Sequence, residues 1–416
     1  MISNILVALN FTPIQTIHVV ESLIFLLLAF AVLYLLIFTF AALTKKKITY
    51  PLVEKKSKFA VFFPAYNEDS VIINSVQEFL QQDYPREQYD IIVLADHMMD
   101  KTIEQLRAIS AVVLRIEVEN SSKTKALQIA TDYIEENKIH YDNIVIMDAD
   151  NIVDPDFLTK INNAFAAGCQ TIQTHRVAKN LNSDMAYLDA ISEEINNSIF
   201  RKGHTQLHLS ASLIGSGMAF TYPIFKKYIR LAHEVGFDKQ LEMLFLHDHI
   251  FIDYLEDIYT YDEKLRKISQ FSNQRRRWMA NQVFGFSTGI KKLPMALKER
   301  NWDYCNKLLQ WTMLPRLMLV GFIFIGTLLM TIYDVSLNFQ TLFSLKWWYL
   351  LIVLLSIFYF SIPTHLRNKK LTKAFIHLPQ LFIQMIINLF RLSGAFKRFI
   401  HTDHSDEEEE KENSLD

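Results

Sequence analysis

The hydropathy pattern changes character twice along the chain. Val19 to Leu43 is almost wholly apolar, with Glu21 near its start, and Lys45, Lys46 and Lys47 follow at once. A run of roughly 20 apolar residues crosses a bilayer as a helix, and lysines at its end favour the cytosolic side. A cleaved leader would be shorter, with positive charge before it and a small-residue cleavage site after it. The pattern therefore predicts an N-terminal transmembrane anchor over residues 1–47.

From Lys58 short apolar runs alternate with helical stretches. Phe59–Phe63 reads as a strand ending in Pro64-Ala-Tyr-Asn-Glu68, Ser70–Gln82 as a helix and Asp90–Asp96 as the next strand. A short helix after Asp100, a strand Val112–Val118 and a helix Lys123–Glu136 follow. Then comes Asn143-Ile-Val-Ile-Met-Asp-Ala-Asp-Asn151, a strand-type run that stops at two carboxylates. Such alternation predicts an α/β domain over residues 56–282, with a mostly parallel sheet and right-handed crossovers. Its second half is less regular, with a long helix predicted from Ser183 to Lys202, a Gly-containing run Leu213–Phe220 and a helix Ile250–Glu256.

Past residue 282 apolar character returns. Phe284–Leu309 mixes Lys, Arg, Trp and apolar residues, the pattern of an interfacial amphipathic segment over 283–310. Within a membrane region at 311–400, Met313–Tyr333 and Trp347–Pro363 are long enough to span, and the basic Arg367–Lys373 favours the cytosolic side. Ala374–Leu392 is interrupted by His377, Pro379, Gln384, Asn388 and Arg391, so an interfacial or re-entrant segment is expected there. The tail, 401–416, is acidic, and its Asp406–Glu412 run has the composition of a disordered segment.

Composition narrows the function. A net charge of -2 argues against a nucleic-acid binder, which needs a strongly basic face. Cys169 and Cys305 are far apart, so no disulfide framework or cysteine metal site follows. The mean hydropathy of +0.10 reflects the two apolar ends, which makes membrane lipids a partner.

Three strand ends carry polar residues in series: Asn67 with Glu68, Asp96, and Asp148 with Asp150. In a parallel sheet these ends share one edge, where ligands bind. Two carboxylates there can hold a hard divalent cation, Mg²⁺ or Mn²⁺, that takes its remaining ligands from water and phosphate. Lys123 and Lys125 add cationic groups at the start of the next helix. Neither a Gly-x-Gly-x-x-Gly nor a phosphate-loop signature occurs. Gly215 and Gly217 mark a close backbone approach or a bulge. Asp248, between His247 and His249, reads either as a helix N-cap or as a functional carboxylate, since such close spacing does not suit one shared metal. In Gln274-Arg-Arg-Arg-Trp278 an arginine fork suits pyrophosphate and the indole suits a sugar ring, while a basic segment lying on anionic lipid reads equally well.

Together, Pro64–Glu68, Asp96, Lys125-Ala-Leu127, Asp148-Ala-Asp150, Gly215-Ser-Gly217, Asp248 and Gln274–Trp278 resemble the membrane-embedded inverting family-2 glycosyltransferases, the group of cellulose, chitin and hyaluronan synthases. The resemblance covers Lys58 to Trp278. It implies a GT-A fold flanked by transmembrane and interfacial helices, a nucleotide-sugar donor, a UDP-sugar above all, and a divalent metal. By the same resemblance, Ala65, Tyr66, Glu68, Asp96 and Lys125 bind the nucleotide, Asp148 and Asp150 hold donor and metal, and Gln274 and Arg277 take the pyrophosphate. Trp278, Gly215 and Gly217 face the acceptor, a growing glycan or a lipid-linked one, and Asp248 is the general base. Lys397–His404 loosely resembles a cytosolic segment of that family. Leu246-His247 departs from the Thr-Glu expected before the base, and His97 replaces a smaller residue. Few membrane segments are present, which leaves room for export or assembly partner proteins. Processive synthesis, a single transfer to a lipid or other acceptor, and an inactive scaffold are the readings in play.

Overall fold

The computed structural model describes residues 13–44, 49–118, 121–233, 236–265 and 268–391. In chain order it contains α1 (Pro13–Ala42), β1 (Phe59–Tyr66), α2 (Ile72–Phe79), β2 (Tyr89–Asp96), α3 (Asp100–Ala108), β3 (Val112–Arg115), α4 (Lys123–Glu136), β4 (Asn143–Ile146) and β5 (Ile152–Val153). Next come α5 (Phe157–Ala166), β6 (Thr171–Ala178), α6 (Asp184–Asn196), β7 (Met218–Thr221), α7 (Tyr222–Ile229), α8 (Phe237–His247), β8 (Ile252–Asp262) and α9 (Ile268–Gly289). The chain continues as α10 (Leu293–Lys298), α11 (Trp302–Thr312), α12 (Arg316–Ser336), α13 (Phe343–Ser361), α14 (Lys369–Ala374) and α15 (Leu378–Phe390).

One sheet runs in the order β3-β2-β1-β4-β7-β6-β8-β5. The pairs β2/β3, β1/β2 and β1/β4 are parallel, β7 runs against both β4 and β6, and β8 is parallel to β6. Alternation in β1 explains why both faces are covered. Phe59, Val61 and Phe63 pack in one core with Val76 and Phe79 of α2 and Phe157 and Ile161 of α5. Ala60 and Phe62 pack in the other with Leu127 and Ile134 of α4 and Phe245 of α8. A parallel sheet buried on both sides reads as a nearly continuous apolar run, as β1 does.

The sheet corrects one predicted element. Residues 250–256, expected as a helix, lie mostly in β8. The β-favouring Ile252, Tyr254, Ile258 and Thr260 are buried, and pairing with β6 overrides local helix preference. The helix predicted to Lys202 stops at Asn196 and continues as a π-helical turn, Asn197–Gly203.

Among the described residues, four helices are long and apolar enough to cross a membrane: Gln15–Ala42, Arg316–Ser336, Phe343–Ser361 and Lys369–Phe390. The last, expected as an interfacial or re-entrant segment, is broken by a 3₁₀ turn at Phe375–His377, just before Pro379. Helix α1 docks on the π turn so closely that a Cβ on Gly203 would lie 2.2 Å from the Phe38 carbonyl oxygen. The buried Glu21 accepts from Lys346 Nζ at 2.7 Å and Trp347 Nε1 at 2.5 Å, which ties α1 to α13. Helix α15 is fastened to α9 by Asn388 Nδ2, which donates to the Ser272 carbonyl at 2.9 Å. Lys45, Lys46, Lys47, Lys397–His404 and the acidic tail lie outside the described residues.

Candidate active site

Register brings the strand-end residues to one edge. Tyr66 stands opposite Asp96 and Ala65 opposite Ala95, while β4 ends beside the start of β7, with Ile146 paired to Met218. Ala65 and Asp96 are buried, and Asp96 Oδ1 lies 2.6 Å from His97 Nδ1, whose ring packs against Tyr66. The Asn67 N–H donates to the Asp96 carbonyl at 2.9 Å, and Asn67 and His97 both hold positive φ, so each chain turns sharply just past its strand. The Glu68 N–H points to Met98 Sδ at 3.3 Å, which joins the two turns.

Beyond β4 the two aspartates differ. The Asp148 side chain is 35% exposed and is paired with Lys123. Asp150 is buried, accepting from the Glu263 N–H at 2.9 Å and from Asn151 Nδ2 at 3.2 Å. Lys123 Nζ also donates to the Gly215 carbonyl at 2.9 Å and lies 5.5 Å above the Phe237 ring, so one ammonium gathers β4, the Gly215 loop and the start of α8. The backbone N–H of Lys125 donates to the Ser122 cap at 3.2 Å. Lys123, which contacts Asp148, is thus the cation the resemblance passed over. Gly215 has φ +90 with open space where a Cβ would point, whereas Gly217, at φ +59, would place a Cβ 2.4 Å from Thr174 Oγ1. Gly217 is therefore a packing requirement and Gly215 faces the site.

Adjacent residues on a helix diverge by about 100°, and the three arginines of α9 do so. Arg275 pairs with Asp189 at 2.5 Å and stacks over Trp278 and Phe271. Arg277 is partly buried, which lowers its pKa, while the nearby charges of Asp148 and Asp238 raise it back. Gln274 Oε1 is buried with no hydrogen-bond partner among the described residues. Trp278 lines a cavity together with Asp238.

Asp248 lies elsewhere. It closes α8, four positions before β8, and the start of β8 is in register with Thr171 and, through Phe220, with Ile144 near the beginning of β4. That is the sheet edge opposite Asp148. Helix α8 has 11 residues, on the order of 16 Å, and its other end carries Asp238. Asp248 accepts from the Tyr228 hydroxyl, from His247 Nδ1 at 2.8 Å and from Lys227 Nζ at 3.2 Å. These donors, led by Tyr228, hold its carboxyl well below the usual range. The fold thus does not bring Asp248 together with Asp148, whereas Asp238, in the first turn of α8, shares Arg277 as a neighbour with Asp148. The signal in the sequence was partial: Phe237-Asp238 some twenty residues after Gly217, followed by an apolar helix and then an aromatic-rich strand.

Fold and site together define a GT-A glycosyltransferase. Residues 57–281, more than half of the chain, match the family described as "Glycosyltransferase like family 2". The chain belongs to that family. Among solved structures, it is similar to the mannosyltransferase PcManGT from Pyrobaculum calidifontis in complex with GDP-Man and Mn²⁺, at 16% identity and a TM-score of 0.50, covering 79% of this chain and 96% of that one. It also matches glucosyl-3-phosphoglycerate synthase from Mycobacterium tuberculosis in complex with Mn²⁺, UDP and glucosyl-3-phosphoglycerate, at 16% identity and a TM-score of 0.39, over 58% and 86% of the two chains. No curated protein matches the chain.

Proposed function

We propose that the protein transfers a sugar from a nucleotide-sugar donor, a UDP- or GDP-sugar, to a hydroxyl of a membrane-associated acceptor, with inversion at the anomeric carbon. The observation that carries this reading is that Lys123 pairs with Asp148 and lies 5.5 Å over the ring of Phe237, the neighbour of Asp238, with the Arg277 guanidinium near both carboxylates. A donor diphosphate and an acceptor hydroxyl would meet across that guanidinium. Residues 1–47 form an anchor, 56–282 the catalytic domain, 283–310 an interfacial segment and 311–400 a membrane region, with the domain on the cytosolic side. The lysines at 45–47 and the basic run 367–373 support that orientation.

The carboxylates suit a hard divalent cation. Asp148 is part-exposed, Asp150 stands beside it with its backbone turn braced by Asn151, and no group of three His, Cys, Asp or Glu is present among the described residues. Two carboxylates with the balance of ligands from phosphate and water is the arrangement Mg²⁺ or Mn²⁺ favours. When bound, such an ion offsets charge on the departing diphosphate.

The protein's own groups supply the rest. Ala65, Tyr66, Glu68 and Asp96 form the pocket for the base and ribose. Lys123, with Lys125 on the same helix turn, and Arg277, with Gln274, hold the diphosphate, and their cationic charge favours its release. Asp238 accepts the proton of the acceptor hydroxyl as the new C–O bond forms and the sugar–phosphate bond breaks, the base then being protonated and the nucleoside diphosphate leaving. Trp278 and Gly215 border the acceptor. The test is nucleoside-diphosphate release by purified protein across UDP-, GDP- and dTDP-sugars with Mg²⁺ or Mn²⁺. Metal-dependent release from one donor supports the reading, whereas a protein that shows neither release from nor binding of any donor would refute it in favour of an inactive scaffold.

A further inference from the structure

A cavity of about 970 Å³ is lined by Asp238 and Trp278 and by residues of α9 and of the helices long enough to cross a membrane. Its far walls are apolar: Val320, Ile352, Leu355, Phe358, Leu378 and Leu381. A glycan there would lose water from its hydroxyls without replacement partners, which disfavours it. The walls suit a hydrocarbon chain.

Between the apolar end and Asp238 the cavity is lined by guanidinium groups. Arg176 pairs with Glu193 at 2.9 Å and Asp262 at 3.7 Å, Arg201 with Glu193 at 2.8 Å, and Arg275 with Asp189. Arg316 has no carboxylate partner among the described residues. Its Nη2 donates to the Ser192 carbonyl at 2.9 Å and to Ser192 Oγ at 3.1 Å, and its Nη1 is buried with no partner. Arg275 Nε is likewise buried and unpartnered. Arg316 is also the first residue of α12, where the helix presents unsatisfied N–H groups. A buried cation with free donors calls for an anion.

Building on the glycosyltransferase reading above, we infer that the acceptor is an amphiphile with a phosphate-type anionic head and a long apolar tail. Arg316 and Arg275 hold the head, the tail lies along α12, α13 and α15, and the hydroxyl-bearing end reaches Asp238 beside Trp278.

The test is binding of radiolabelled hexadecyl phosphate to the full-length protein in phosphatidylcholine nanodiscs. Hexadecyl maltoside serves as a tail-only competitor and inorganic phosphate as a head-only one. Saturable binding is expected, weakened about tenfold or more by Arg316→Gln and by Ser356→Trp, which fills the tail channel, with both competitors poor. Mn²⁺-dependent nucleotide binding, measured on each preparation, confirms that the variants are folded. Asp150→Asn should lose nucleotide binding and keep hexadecyl phosphate. Binding indifferent to both substitutions in folded protein, or matched by hexadecyl maltoside, would overturn the inference. Binding matched by inorganic phosphate would assign the arginines to a free anion and overturn it too. Absence of nucleotide binding in the unmodified protein would instead remove the glycosyltransferase reading.

Discussion

Replacing Asp238 by Asn should abolish transfer while leaving the protein folded and able to bind its donor. The substitution keeps volume and removes only the carboxylate charge. The nearest ion-pair partner of Asp238 is Lys239 Nζ at 3.8 Å, a long contact, and the Asp238 side chain is 18% exposed. The stability lost should therefore stay within about 1 kcal/mol. The catalytic loss is much larger: a general base contributes about 10²–10⁴-fold, or ~3–5 kcal/mol of barrier. Donor binding should hold or tighten slightly, because removing one of the two carboxylates near Arg277 leaves that guanidinium more available to phosphate. Asp248→Asn is the matched control. It disturbs Tyr228, Lys227 and His247 at the opposite sheet edge and should leave turnover near the unmodified level. The assay is single-turnover transfer with saturating donor, alongside calorimetric donor binding and thermal unfolding. Near-normal turnover of Asp238→Asn, or loss of turnover in a folded Asp248→Asn protein, would refute the reassignment.

Asp150→Asn should weaken metal-dependent donor binding, and unchanged affinity with Mn²⁺ would count against the metal assignment. Arg277→Lys keeps the charge but loses the fork, so kcat should fall about 10²-fold or more, with a smaller change in donor Kd. His204 is fully buried, stacked 3.8 Å from Phe38 and 3.1 Å from the Tyr34 hydroxyl, and burial, with Lys307 nearby, pushes its pKa down to about 3. A depressed histidine pKa means the fold favours the neutral ring. Its stabilisation is complete above the unfolded value, about 6.5, and is lost as pH falls, by ~2 kcal/mol near pH 5. Unfolding of the unmodified protein followed from about pH 8 to 5 should show that loss, and His204→Gln should flatten it; an identical slope in both would exclude His204 as the source.

The parallel half of the fold was legible because its signal is local. Runs such as Phe59–Phe63 and Ile144–Met147 are apolar throughout, and an all-apolar run between helices has few uses besides a strand buried on both faces. The carboxylates at their ends follow from the same geometry. What could not be read was long-range. Residues 250–256 carry mixed local preference, and only pairing with β6 makes them a strand. The mistaken helix in turn hid the fact that Asp248 falls at the far end of α8. The departure of Leu246-His247 from the expected Thr-Glu was the one local clue, and Gly236-Phe237 before Asp238 departs from it equally, so the sequence alone does not choose between the two aspartates. The sequence presents Lys123 and Lys125 as equivalent cations at the start of α4, because the partners that single out Lys123, Asp148 and Gly215, are distant in sequence.

Helix α9 explains why three consecutive arginines need not compete for one ligand. Arg275 and Arg277 are two positions apart, about 200° around the helix, so they face opposite flanks. Arg277 faces the carboxylates at the strand ends, while Arg275 faces Asp189, Trp278 and the cavity that leads to the apolar helices. On the proposed reading, one rigid element would separate the charge that a leaving diphosphate requires from the charge that an acceptor head requires. It also fixes the distance between them, and Asn388 of α15, clamped on Ser272 one turn before Arg275 and Arg276, fixes the helix against its apolar neighbours. An acceptor seated in the cavity would therefore meet a reaction centre whose position is set by the helices holding its tail, the kind of positioning from which enzymes draw much of their advantage.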